Sequence, residues 1–191
     1  MDQAKNYEGQ LFEKVIYTGK VIKKREFEQC TFKDCDLSDS TFTYNRFTEC
    51  VFIGCNLSMM KLANTSLRDV TFKHCKLLGV NFSECEDFLF SVRFENCMLD
   101  YASFMKKKMT KTKFIHTSLK QVAFTNVNLS NAVFDNCDLA DAVFNGTDLK
   151  EADFRTANNY IIDPELNNIK KAKFSLHGVV GLLAKYVIHI E

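Results

Sequence analysis

Between Phe12 and Phe154 a large apolar residue recurs at every fifth position, with one slip. Counting back from Phe154 gives Leu149, Phe144, Leu139, Phe134, Leu129, Phe124, Leu119, Phe114, Met109, Phe104, Leu99, Phe94 and Leu89. The count then slips by two residues and resumes at Phe82, passing through Leu77, Phe72, Leu67, Leu62, Leu57, Phe52, Phe47, Phe42, Leu37 and Phe32 to Phe27. Ile22, Tyr17 and Phe12 extend it more weakly. A spacing of five matches neither the period of about 3.6 of a helix nor that of about 2 of a strand. Self-similarity sustained over this length marks a solenoid, in which each coil buries its apolar side chains against its neighbours.

A longer period lies above the first. Phe94, Phe114, Phe134 and Phe154 are twenty apart, as are Leu99, Leu119 and Leu139, and Phe104, Phe124 and Phe144. Four five-residue units therefore close one turn, and like residues stack on like. This predicts an all-β, quadrilateral parallel β-helix whose core stack includes these ten residues. Coils that pair as parallel strands rise about 4.8 Å, so about seven of them make a rod about 30–35 Å tall.

The smaller residues agree with a narrow shaft. Two positions before the central residues stand Cys30, Cys35, Cys50, Cys55, Cys75, Cys97 and Cys137, with Ala102, Ala132, Ala142, Ala152 and Ala157. Cys85 fits the same rule if the first register runs one step beyond Phe82. Gly19, Gly54, Gly79 and Gly146 fall two positions after a central residue, where a corner must turn.

These patterns exclude several functions. Five-residue cysteine spacing is the repeat itself, so the thiols read as small hydrophobes rather than as metal ligands. Stacked Cys35, Cys55, Cys75 and Cys97 come within disulfide range, but parallel side chains in a reducing compartment argue against bonding. His74 and His116 occupy outward corners and His177 and His189 the C-terminal segment, so no histidine-based constellation forms. A shaft filled by its own side chains has no substrate cavity, so neither catalysis nor a cofactor is expected. The formal net charge of +1 gives no expectation of direct nucleic-acid binding. The N-terminus lacks the features of a signal peptide, and no apolar run is long enough to span a membrane. A cytoplasmic protein is the expectation.

Blocks such as CysAspLeuSerAsp (35–39) and AlaAspPheArgThr (152–156) resemble the unit of the pentapeptide-repeat family. The resemblance covers residues 12–157, after a lead-in of residues 1–11, and implies a right-handed coil. Residues 158–191 resemble the C-terminal cap of the Qnr-like, topoisomerase-protecting members. There an Asp-Pro turn, a short helix and a terminal apolar strand recur, matching IleIleAspProGluLeuAsn, the segment 175–186 and ValIleHisIle here. The resemblance implies a non-catalytic homodimer that binds DNA gyrase or topoisomerase IV, with Val179, Val180, Leu182, Leu183 and Tyr186 at the dimer interface. Such relatives are acidic and some carry long loops; this chain is near-neutral and has none.

Three surface features are candidates for contact. Residues 131–154 carry Asp135, Asp138, Asp141, Asp148, Glu151 and Asp153 against Lys150 alone, a local net of −5 and a candidate acidic partner surface for DNA mimicry. Residues 105–120 carry Lys106, Lys107, Lys108, Lys111, Lys113 and Lys120 with no acid, and read as a solvated or distorted edge. Lys107 falls on an inward position, where a bare ammonium is costly, so it must snorkel or the coil must deform. The slip at 83–90 predicts a bulge with Asp87 outward, Leu89 central, and Phe88 or Phe90 at least partly exposed. Two functions of different class fit: topoisomerase binding, or a scaffold that displays a flat protein-binding face.

Overall fold

Each unit places one apolar residue between two polar ones, then a residue that turns the chain, and this yields three-residue strands joined by tight corners. In the computed structural model, which describes residues 5–189, the result is a four-sided parallel β-solenoid. On the first side, Asn6–Glu8, Glu26–Glu28, Arg46–Thr48 and Ser66–Arg68 form a four-stranded sheet. The second side carries seven strands, from Leu11–Glu13 through Val70–Lys73 and Val92–Glu95 to Val133–Asp135. That sheet rises through about six turns, and isolated bridges from Val133 to Asp153 and on to Lys173 continue the ladder. The third side pairs through isolated bridges such as Ile16 to Asp36, and the fourth through Val21–Lys23 and Thr41–Thr43 followed by bridges.

The ten core-stack residues are all buried, nine of them with no exposed surface and Phe144 at 6%. Rings in one column lie nearly parallel: Phe32 on Phe52 at 4.6 Å, Phe134 on Phe154 at 4.5 Å. Rings on opposite sides meet edge to face across the shaft, as Phe104 and Phe114 do at 6.2 Å and 76°. Both arrangements oppose the negative face of one ring to positive parts of the next.

The corners explain why glycine is sparse. Gly19, Gly54, Gly79 and Gly146 have positive φ as expected, but so do Asp34, Asp39, Asn64, Asn126, Asn131 and several lysines at equivalent corners. Asn and Asp tolerate this conformation because their short polar side chains bond locally. At most corners the backbone groups pair from coil to coil, as when Gly54 N–H donates to Lys73 O at 2.9 Å.

All eight cysteines are free and buried. Each inward thiol on the third side caps the carbonyl of a central residue one coil below: Cys35 donates to Phe12 O at 3.2 Å, Cys55 to Phe32 O at 3.3 Å, Cys97 to Phe72 O at 3.4 Å. Thr65 and Thr147 hydroxyls do the same to Phe42 and Phe124 at 2.6 Å. Burial pushes the Cys50, Cys85 and Cys137 thiols up to about 12, so their reactive thiolates are scarce at neutral pH. In an absorbance assay with a thiol reagent, the folded chain is expected to react far more slowly than the denatured chain. Equal rates would place these thiols at the surface.

Beyond the Asp163–Pro164 turn, Gly178 and Gly181 bring the cap against Tyr160; a Cβ on Gly181 would collide with Tyr160 O. The helical segment runs through His177–Val179, Val180–Leu183 and Ala184–Tyr186. Lys185 pins it to the turn, at 2.8 Å from Asp163 and 2.7 Å from Glu165. The expected terminal strand is absent over 187–189, where Val187 adopts a left-handed φ of 50° and ends the helix. Residues 1–4 of the lead-in, Ile190 at the end of that expected strand, and Glu191 lie outside the described residues. No helix among the described residues is long and apolar enough to cross a membrane.

Candidate interaction surfaces

The two extra residues between Phe82 and Phe94 leave the second-side ladder intact. Phe72 still pairs with Phe94, so the surplus is confined to the first side, next to the strand Ser66–Arg68. Asp87–Phe90 forms a turn, with Phe90 N–H donating to Asp87 O at 3.3 Å and Leu89 at φ 57°. Positive φ at the third residue is what a type II turn requires. This corrects the expected register. Leu89 sits at the turn tip and is 61% exposed, while Phe90, two residues before Val92, goes inward and is 9% exposed. Phe88 and Asp87 point outward as expected, Phe88 with its ring under the Arg68 guanidinium at 5.0 Å.

The turn also accounts for Lys107. Its side chain is 2% exposed, inward of the shaft wall one coil above the insertion. The ammonium donates to Cys85 O and to Asp87 Oδ1 at 2.5 Å, and lies 5.4 Å from the Phe90 ring centre. The coil deforms and supplies a carboxylate, a carbonyl and an aromatic face, as burying a charge requires. Lys107 does not snorkel.

The acidic residues do not share one face. Asp135 and Asp153 project from the second side, Asp138 from the third, and Asp148 from the first. Several are already engaged. Asp138 meets Lys120 at 3.2 Å, and Asp153 accepts a forked pair of bonds from Arg155, which holds its carboxyl below the usual range. Asp148 accepts from Ser130 at 2.9 Å and Asn168 at 2.8 Å. Glu151 lies 3.9 Å from Lys150, and Asp141 turns a corner at φ 58°.

Of the cap residues expected at a dimer interface, Val179, Val180 and Tyr186 are exposed, while Leu182 packs half-buried on the end of the core because the glycine face is drawn onto Tyr160. Leu183 is also half-buried. Leu176, Val187 and Ile188 add exposed apolar surface beside them.

A further feature arises from the stacking of the coils. The Asp87–Phe90 turn walls a cleft of about 980 Å³ whose other lining includes Arg68, Arg93, Lys108, Lys111 and Lys113. Lys108, Lys111 and Lys113 were visible as a linear cluster, but Arg68 and Arg93 join them only through the stacking of coils.

A solid four-sided coil with corners of this kind defines a class, and the sequence profile described as pentapeptide repeat region matches residues 25–104 and 88–154. The chain belongs to the pentapeptide-repeat family. Among solved structures, a trypsin-treated variant of QnrB1, a plasmid-mediated fluoroquinolone resistance protein, matches with a TM-score of 0.64 at 18% identity, covering 99% of this chain and all of that one. Full-length QnrB1 matches with a TM-score of 0.62 at 16% identity, over 96% of this chain and all of that one. HetL, involved in heterocyst differentiation regulation in the cyanobacterium Nostoc sp. strain PCC 7120, matches with a TM-score of 0.61 at 13% identity, over 91% of this chain and 90% of that one. A search of curated proteins finds no match.

Proposed function

We propose that this chain is a non-catalytic protein-binding rod that dimerises through its C-terminal cap and binds a type II topoisomerase, DNA gyrase or topoisomerase IV. The observation that carries the first part is the filled shaft: rings and small side chains occupy the inward positions, so the variable chemistry lies outside. The choice of partner is supported by the likeness to QnrB1, which extends over both chains almost completely and so takes in the cap. Val179, Val180 and Tyr186, with Leu176, form an apolar surface that a second copy would cover. Protection of the enzyme against a poison such as a fluoroquinolone is the activity this reading implies.

Sedimentation of the protein at micromolar concentration, alone and with purified gyrase, tests the reading. A dimer that is lost on deleting residues 175–191, and a co-sedimenting complex with gyrase, are expected. A monomer contradicts the cap assignment, and a dimer with no complex contradicts the partner.

The dispersed acids favour a second reading, a scaffold with no topoisomerase role. DNA mimicry needs a continuous negative band, whereas Asp138 and Asp153 here are paired with Lys120 and Arg155 on different sides.

A further inference from the structure

The cleft beneath the insertion is out of keeping with the rest of the surface. At several places on the rod, opposite charges one coil apart are matched, as Lys33 is with Glu13 at 2.7 Å, Arg46 with Glu26 at 3.3 Å and Lys73 with Glu95 at 3.3 Å, although Glu8 stacks on Glu28. In the cleft they are not. Phe94 pairs with Phe114, so Arg93 and Lys113, each one residue earlier, stack directly on one another with Thr71 below and Val133 above. Like charges directly opposite in a ladder are destabilising. Arg68, Lys108 and Lys111 converge on the same space, and among the described residues none of these five cations makes an ion pair. The lining also holds two acids: Asp87, which is paired with Lys107, and Asp69, which accepts from the Ser91 hydroxyl at 2.8 Å and keeps its charge, so the five cations leave the lining net positive. The Arg68 Nε is buried without a hydrogen-bond partner.

We propose that this cleft binds a nucleotide through its di- or triphosphate, with the Phe88 ring as the platform for the base. Two arguments select this ligand over an acidic peptide. Cations on successive coils stand about 4.8 Å apart, whereas carboxylates on one face of an extended peptide are about 6.6 Å apart. Phosphoryl groups that share bridging oxygens pack more charge into that spacing. Phe88, 66% exposed at the mouth, offers a flat apolar surface of the kind on which bases stack. The volume of about 980 Å³ lies at the upper end of the range for small-ligand sites. The inference is independent of the topoisomerase reading.

Calorimetric titration of the full chain tests it with four probes: inorganic triphosphate, ATP, a short single-stranded oligonucleotide and a glutamate-rich peptide. ATP and triphosphate are expected to bind. The double variant Arg93→Ser/Lys113→Ser should weaken both by about tenfold or more, since charge-assisted bonds are lost. Phe88→Ala should weaken ATP alone, and a remote Lys23→Ser/Lys24→Ser variant should weaken neither. These positions face outward, and melting curves check that the variants fold; Lys108→Ser serves in place of the double variant if that one melts early. Absence of heat with both phosphates would overturn the proposal. So would equal loss in the remote variant, or tighter binding of the peptide or the oligonucleotide than of ATP.

Discussion

Phe114→Ala is expected to cost about 3–5 kcal/mol of stability, the range for truncating a fully buried phenylalanine. Phe114 has no exposed surface and lies between Phe94 at 5.4 Å and Phe134 at 5.0 Å. Phe104 and Phe124 meet it edge to face at 6.2 and 6.0 Å. A solenoid adds a further consequence, because each coil is held only by its neighbours. A weak coil in the middle uncouples the two ends, so the denaturant transition should broaden as well as shift. Phe88→Ala, at the exposed turn tip, should change stability by no more than about 0.5 kcal/mol. Equilibrium unfolding in urea separates the two. An unchanged midpoint for Phe114→Ala would contradict the stacked core.

The second large effect is expected at the Lys107–Asp87 pair. Removing one partner of a fully buried pair typically costs about 3–5 kcal/mol, because the other charge is left without compensation. Here only Lys107 is buried, its side chain 2% exposed against 82% for Asp87, and solvent screening of the exposed carboxylate lowers the cost expected for Asp87→Ala to about 1–3 kcal/mol. The double variant Asp87→Ala/Lys107→Met removes the charge and keeps most of the volume, so it should be more stable than Asp87→Ala alone. Deleting Asp87 and Phe88 should cost as much as Asp87→Ala or more, because the counter-ion goes with them. A measured loss under about 0.5 kcal/mol for Asp87→Ala would show that the carboxylate does not hold the lysine.

The sequence made the fold legible because its core is one-dimensional. A column of stacked rings repeats in the chain at fixed distance, so Phe94, Phe114 and Phe134 could be aligned by counting. Counting also located the slip, and it set Lys107 on an inward position. It chose wrongly between Leu89 and Phe90 for the inward position. Five residues before Phe94 is Leu89, and only the turn at Asp87–Phe90, with leucine in a left-handed conformation, sends Phe90 inward instead. Residue preference gives no hint of a left-handed leucine. The partner of Lys107 was within reach of sequence reasoning, since Asp87 lies twenty residues earlier, one coil below.

The acidic segment misled for a geometric reason. A stretch of 24 residues, 131–154, passes completely round a coil that closes every twenty. Asp135, Asp138, Asp141 and Asp148 are neighbours in the chain but look out in different directions. The cationic cleft has the opposite history: Arg68, Arg93 and Lys113 are far apart in sequence and adjacent in the stack. In a solenoid, surface patches are built at intervals of a turn, and linear charge clusters are a poor guide to them.

A DNA gyrase supercoiling assay in the presence of a fluoroquinolone, with and without added protein, tests the proposed function most directly. Restored supercoiling that rises with protein concentration, and is lost when residues 175–191 are deleted, is the expected result. Supercoiling that stays inhibited at a large molar excess of folded, dimeric protein, for topoisomerase IV as well as gyrase, would contradict it.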